Sequence, residues 1–314
     1  MTRSVAAYAC SLPFAEAGYT RTFEAEIDNP VNSEMRVRGT LADHRCTLTS
    51  EWMVRLPTYE IRRACATHLF GAPEVLSPAL ITRIPAIQGA TIGQGFSRIM
   101  GATLGNLPGH KEHRTLATEM ARVSLQAFPV PKDDHERFAS FVTDMPPGPS
   151  RLARMLWERD RADFGMLKNS CFTYRDQSAR LFEERTIEPF DPDMTVPEPG
   201  EARFFWRTKR LQITPRPDRV GFHCQHALDD RFQQMQIDFD IDAEGTITNA
   251  TSRPGRLPFR GLCEEPHSRT GGLNGLRLGK NFTPPVVDQI GGSTGCRHLF
   301  DLATDCLRLF TWRE

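Results

Sequence analysis

Between Tyr19 and Leu56 polar and apolar residues alternate, as in Thr22, Phe23, Glu24, Ala25, Glu26 and Ile27 and again in Met35, Arg36, Val37 and Arg38. A period of two puts successive side chains on opposite faces, so the stretch predicts half-buried antiparallel strands. Turn residues at Asp28 to Pro30 and at Ala42 to His44 divide it into a three-stranded meander. After Pro57 the spacing turns helical, with Ile61, Cys65, His68 and Leu69 on one stripe and Ile92, Phe96, Ile99 and Met100 on another. Beyond Leu104 to Gly109 the pattern predicts a helix over 112–128.

The plan then recurs. Strands are predicted near 202–215, 232–242 and 246–251, with a turn at Asp242 to Gly245, followed by a helical part rich in glycine. Met35 to Asp43 answers to Met235 to Ala243, and Thr47 to Thr49 answers to Thr246 to Thr248. Arg55, Leu56 and Pro57 return as Arg256, Leu257 and Pro258, with Cys65 and Cys263 following in turn. Order, spacing and residue type repeat together, which argues for a tandem duplication. The expected architecture is α+β, each half an antiparallel sheet with helices packed on one face, the halves related by a pseudo-twofold. The expected boundaries are a first repeat over 17–128, a helical connector and Pro-rich linker over 129–200, and a second repeat over 201–314. The connector should hold helices from Asp133 and over 151–167, broken by Pro146 to Pro149 and ending in the Pro-rich run from Glu188 to Pro199.

Charge narrows the functions. The 39 basic and 39 acidic residues of this 314-residue chain cancel, so no overall field draws it to nucleic acid or an anionic membrane. Only Lys111, Lys132, Lys168, Lys209 and Lys280 are lysines, so arginine supplies nearly all the positive charge. No apolar run reaches the roughly 18 residues of a membrane span. Ser4 to Phe14 is mildly apolar and Ala15, Glu16 and Ala17 imitate a cleavage site, but Ser, Tyr and Pro interrupt the run, so it is expected to be structural. Eight scattered cysteines without a Cys-x-x-Cys fit reduced thiols in a cytoplasmic protein.

Three clusters could carry chemistry. Gly295, Cys296, Arg297, His298 and Leu299 stand where a glycine loop becomes a helix, so backbone amides should favour a thiolate or hold an anion. Cys263 and His267 lie earlier in the same half, and with Cys296 and His298 they make a donor set suited to zinc. His110, His113 and Arg114 open the last helix of the first half, where an imidazole could act as a base and Arg114 or Arg297 could hold an oxyanion. His223 to His226 is expected at a loop or hairpin tip, because a strand would split these side chains between faces. Gly89 to Gly95 lacks the Gly-Lys-Ser/Thr ending of a phosphate loop, and no nucleophile elbow, zincin helix or calcium loop occurs.

Arg256 to Phe259 with Cys263 four residues on, and Gly295 to Leu299 with Leu302 and Leu307 behind, resemble a bacterial family of unknown function, DUF2889. The second half is the closer match; the first departs from it, with His113 and Thr115 where a Cys and a His would stand. The resemblance implies a step in the breakdown of aromatic compounds on a hydrophobic, phenolic substrate. The leading expectation is a lyase without cofactor that cleaves a carbon–carbon or carbon–oxygen bond of a lignin-derived phenolic dimer or related aromatic and releases formaldehyde. His298, His113 or His110 would be its base, Arg114 and Arg297 its anion holders, and Phe96, Trp206, Phe259 and Phe282 its ring-binding walls. The alternatives are a zinc or iron–sulfur protein built on Cys263, His267, Cys296 and His298, and a carrier or sensor of aromatic or acyl ligands. A homodimer is the expected assembly.

Overall fold

A computed structural model describes residues 10–11, 18–144, 148–189, 196–217 and 220–312. The strands are β1 (Cys10–Ser11), β2 (Tyr19–Val31), β3 (Glu34–Asp43), β4 (Thr47–Arg55), β5 (Glu60–Phe70), β6 (Glu188–Pro189), β7 (Phe205–Pro215), β8 (Phe222–Asp230), β9 (Gln234–Ile241), β10 (Ile247–Pro254), β11 (Phe259–Arg260) and β12 (Thr311–Trp312). The α-helices are α1 (Ala79–Arg83), α2 (Phe96–Leu104), α3 (His110–Gln126), α4 (His135–Thr143), α5 (Pro149–Asp163), α6 (Leu181–Glu184), α7 (Glu265–Ser268), α8 (Thr283–Ile290) and α9 (Arg297–Leu307). Strands ahead of helices, with antiparallel pairing of β2 with β3, β3 with β4, β4 with β5, β8 with β9 and β9 with β10, make the α+β class plain.

The chain forms two compact units, Arg21–Asp144 with Met194–Arg210, and Met1–Thr20 with Met145–Asp193 and Leu211–Glu314. Strand β7 passes from one to the other. In the first unit β2, β3, β4 and β5 follow one another as neighbours, with β7 beside β2. Alternation works as expected on β2, β3 and β4: Phe23, Ala25, Ile27, Met35, Val37, Leu41, Leu48, Trp52 and Val54 all face the core. The first hairpin turns after the expected Asp28 to Pro30, at Asn32 and Ser33 with φ of 52° and 59°, so those three residues belong to β2. Asn29, placed by the sequence in a turn, is a buried pin instead. Its Nδ2 donates to the carbonyls of Pro197 at 3.0 Å and Glu198 at 2.9 Å, and its Oδ1 accepts from the amide of Val130 at 3.1 Å.

The predicted helix after Pro57 is strand β5. Its register explains the error: Met53 pairs with Arg63 but Val54 with Ile61, and Leu48 pairs with His68 but Thr47 with Phe70. Arg62 and Leu69 are therefore bulged residues, and each bulge shifts the inward phase by one. Inward positions fall at Ile61, Ala64 and Ala66, a spacing of three then two that imitates a helical stripe. Helix α3 begins and ends two residues before its predicted bounds, and α2 and α5 occupy the segments read as helical.

In the second unit β7, β8, β9 and β10 follow as neighbours, and β10 carries a bulge between Thr248 and Thr251. The segment from His223 to His226, expected as a hairpin tip, lies within β8. The two faces do divide it. His223 Nδ1 meets Asp240 at 2.7 Å on the exposed side, while buried Cys224 and His226 face the helices, with His226 Nδ1 at 2.8 Å from the Leu302 carbonyl. One core joins Ile237, Phe239, Ile241, Val286, Ile290, Leu299, Leu302 and Cys306. Much of the expected connector belongs to this unit: β6 pairs with β11, and Trp157 of α5 donates from its indole to the Thr173 carbonyl at 2.7 Å. Pro146 and Pro147 lie outside the described residues.

Candidate functional site

In the first unit the site begins with Gly109, whose φ of +85° starts α3. A Cβ there would lie 2.7 Å from Leu76 Cδ2 and 3.0 Å from the Val75 carbonyl, so glycine alone lets the helix start this close to the chain beneath. Arg45 fixes the same turn, reaching Asp43 at 3.1 Å and Glu112 at 2.7 Å. Held so, His113 points at the end of β5, and its Nε2 lies 2.8 Å from His68 Nε2. One ring donates and the other accepts, which two neutral imidazoles of opposite tautomer can do and two imidazolium ions cannot. Burial, and then the neighbouring His68, push His113 down to about 4. Burial lowers His68 as well. A neutral base therefore exists here at ordinary pH, with His68 half-buried and His113 buried behind it.

His110 is turned to its own helix start, Nδ1 at 2.9 Å from the Leu107 carbonyl. Arg114 is exposed, and its guanidinium makes no hydrogen bond or ion pair among the described residues. Phe96 is core, edge-on to Trp52 with centroids 5.8 Å apart. Trp206 is half-buried on β7 with Arg203 above its ring.

The second unit gathers a different set. Gly295 must be glycine because a Cβ would stand 2.1 Å from the Ile290 carbonyl, and its own carbonyl accepts from the Phe172 amide at 2.8 Å. This places Cys296 at the start of α9, near Cys263 and Cys171 closely enough for each thiolate to disfavour the others. Thr173 Oγ1 lies 3.1 Å from Cys263 Sγ, and Tyr174 donates to Asp160 Oδ2 at 2.7 Å. The expected thiolate at Cys296 is corrected: burial raises its thiol to about 12, outweighing the amides of Leu299 and His298 at the helix start. Burial also raises Cys263, Cys171 and Tyr174, so these groups keep their protons, and it raises Asp160 against the pull of Arg159, whose guanidinium lies 2.6 Å from Asp160 Oδ1.

The other predicted residues of this unit are spread. Arg297 is exposed and pairs with Asp301 at 3.6 Å, and His298 is half-buried on the first turn of α9. Phe259 is buried between Tyr174 and Phe182, and Phe282 packs on Trp312 at 6.1 Å. His267 Nδ1 is 2.9 Å from Ser252 Oγ, its Nε2 is buried without a partner, and burial lowers it to about 4. Among the described residues no three His, Cys, Asp or Glu side chains are grouped to hold a metal ion.

Sequence reasoning missed His68, hidden by the bulges of β5, and missed Cys171, Thr173, Tyr174 and Asp160, which fell in a segment read as connector. The compact Cys, Thr, Tyr and Asp run from Cys171 to Asp176 was the available signal. No helix among the described residues is long and apolar enough to cross a membrane. No curated protein and no solved structure matches the chain. Residues 214–309, which carry β8, β9 and β10 and the Cys263 and Cys296 loops, match the family described as a protein of unknown function, DUF2889.

Proposed function

We propose that this is a cytoplasmic lyase, working without cofactor, that breaks a carbon–carbon or carbon–oxygen bond of a lignin-derived phenolic dimer or related aromatic and releases formaldehyde. The observation that carries the reading is the neutral His68 and His113 pair at 2.8 Å. In a hydroxymethyl-bearing aryl ether, a base takes the hydroxyl proton, the O–H pair becomes the aldehyde C=O, and the adjacent carbon–carbon bond breaks. That bond's electrons form a C=C as the ether C–O bond opens, and a cation holds the departing phenolate until it is reprotonated. Atoms and electrons balance, so the reaction needs a base and an anion holder but no oxidant. In this reading the imidazole pair is the base and the uncommitted Arg114 guanidinium is the anion holder. His110 is turned to the Leu107 carbonyl and Arg297 pairs with Asp301, so neither takes a part in this reading, and His298 in the second unit is the rival base.

We also read the two four-stranded meanders, each followed by helices, as descendants of one duplicated unit, and the chain as a homodimer. The order of strands within each unit supports the duplication, with β9 answering to β4 and not, as the match of Met35 to Asp43 with Met235 to Ala243 has it, to β3.

The test is to supply phenolic dimers and follow aldehyde release by wild type, His113→Ala, His68→Ala and His298→Ala. Loss of roughly 100-fold to 10,000-fold in kcat is expected for His113→Ala, the usual scale for a general base. With wild type, activity should stay level at neutral pH and fall only as pH drops towards about 4, where His113 takes up a proton. Undiminished turnover in His113→Ala, with loss in His298→Ala, would move the site to the second unit. A co-purified aromatic ligand with no turnover would support a carrier, and one zinc or iron per chain by mass spectrometry would support the metal reading.

A further inference from the structure

Strand β5 ends the ordered neighbours of its sheet, and its outer edge is closed over only part of its length. Ile61 donates to the Ala90 carbonyl at 2.9 Å, Gly89 to Ile61 at 2.8 Å and Ile92 to Tyr59 at 2.9 Å, so residues 59–61 are covered by the chain that returns to them. From Arg62 to Phe70 no second strand pairs with that edge among the described residues. An open edge is a row of unused backbone donors and acceptors, and such edges are usually guarded by charge or proline. Here Ala64, Cys65, Ala66, Thr67, His68, Leu69 and Phe70 carry neither a Lys, Arg, Asp or Glu nor a proline, and Leu69 and Phe70 are 63% and 60% exposed. All the guarding charge sits at the other end, on Arg62 and Arg63.

We propose that a second copy of this chain pairs with the edge, β5 against β5, antiparallel about a twofold axis at Ala66. This register uses the whole open stretch. It sets Arg62 opposite Phe70 of the second copy, Arg63 opposite Leu69 and Cys65 opposite Thr67, twice each by symmetry. Directly opposite residues in an antiparallel pair share a face, so each guanidinium meets the apolar end of the other strand, over an aromatic ring in one case and along an aliphatic side chain in the other. Arg62 and Arg63, anchored by Glu60 at 2.8 Å and Glu51 at 3.3 Å, complement the apolar end when a strand of the same sequence runs the other way, and a second copy brings that strand at the matching length. The bulges at Arg62 and Leu69 bracket a regular run from Arg63 to His68 that forms the centre of the pairing. His68 keeps its ring towards His113, so this inference stands apart from the lyase reading.

The experiment is sedimentation equilibrium on the full chain. Wild type is expected at twice the 35.5 kDa of one chain. Leu69→Lys with Phe70→Lys places like charges across the axis and should weaken the dimer at least tenfold while leaving the circular dichroism unchanged. Mixing that variant with Arg62→Glu and Arg63→Glu chains should restore a dimer, because lysines now face glutamates. A short bis-maleimide should join wild-type chains through Cys65, the exposed thiol near the axis, and fail on Cys65→Ser. A monomeric wild type overturns the proposal, and hydrogen-exchange protection of β5 in that monomer would show the chain covering its own edge. A dimer indifferent to the lysine substitutions overturns it equally. Aldehyde release is read separately, so neither proposal's failure can be mistaken for the other's.

Discussion

Acidification from neutral pH to about 4 is expected to strip several kcal/mol from the stability of this protein. His113 in the first unit and His267 in the second are each lowered by burial from 6.5 to about 4. Between those values the unfolded chain binds a proton at each site and the folded chain does not, so stability is full above 6.5 and falls as pH drops towards 4. A displacement of that size is worth roughly 3 kcal/mol per imidazole, against a total of about 5–15 kcal/mol for an ordinary domain. His68, also lowered by burial, adds in the same direction. Asp160 opposes them, because burial raises it and the folded chain then takes its proton first. Asp28 and Asp240 are lowered and lose their contribution only near and below 3.8, beneath the histidine window. Urea midpoints at pH 7, 5.5 and 4.5 measure the slope, and His113→Gln and His267→Gln should each flatten it. A midpoint constant across this range would refute the assignment.

Replacing Lys209 by Met is expected to cost about 3–5 kcal/mol, the scale for breaking a buried ion pair from one side. Lys209 Nζ lies 2.9 Å from Glu119 Oε1, with both side chains 4% exposed. Arg122 also bonds Glu119, but Glu119 Oε2 is already buried without a hydrogen bond. Taking away the ammonium leaves the buried carboxylate beneath α3 with Arg122 still beside it, so its desolvation is only partly compensated. The double variant Glu119→Gln with Lys209→Met removes the under-compensated charge and should regain more than half of the loss. Equal destabilisation of the single and double variants would mean that Lys209 matters through packing of its stem, not through its charge.

Much of the fold was legible because strand and helix periods are imposed residue by residue. Alternation located β2, β3, β4 and β9, and amphipathic spacing located α2, α3 and α5. The failures have two physical origins. At β5 two bulges reset the inward phase, and at β8 a polar run, His223 to His226, hid a strand whose opposite faces meet an aspartate and the helical core. Within the site, His113 was legible from its place at a helix start, but its partner was not. The same holds in the second unit, where Cys263 and Cys296 were marked but the buried company of Cys171, Tyr174 and Asp160 was not.

From residue order came the α+β class, the principal hairpins and helices, and the glycines and histidines that open α3 and α9. Packing alone settled what those residues are chemically. His68 meets His113 across 45 positions and Thr173 meets Cys263 across 90, distances over which no local period carries information. Burial then set the protonation states: it made a helix-start cysteine a thiol where the helix dipole alone favours thiolate, and it made His113 a neutral base. Desolvation depends on every atom that closes around a group, and only the folded chain brings those atoms there.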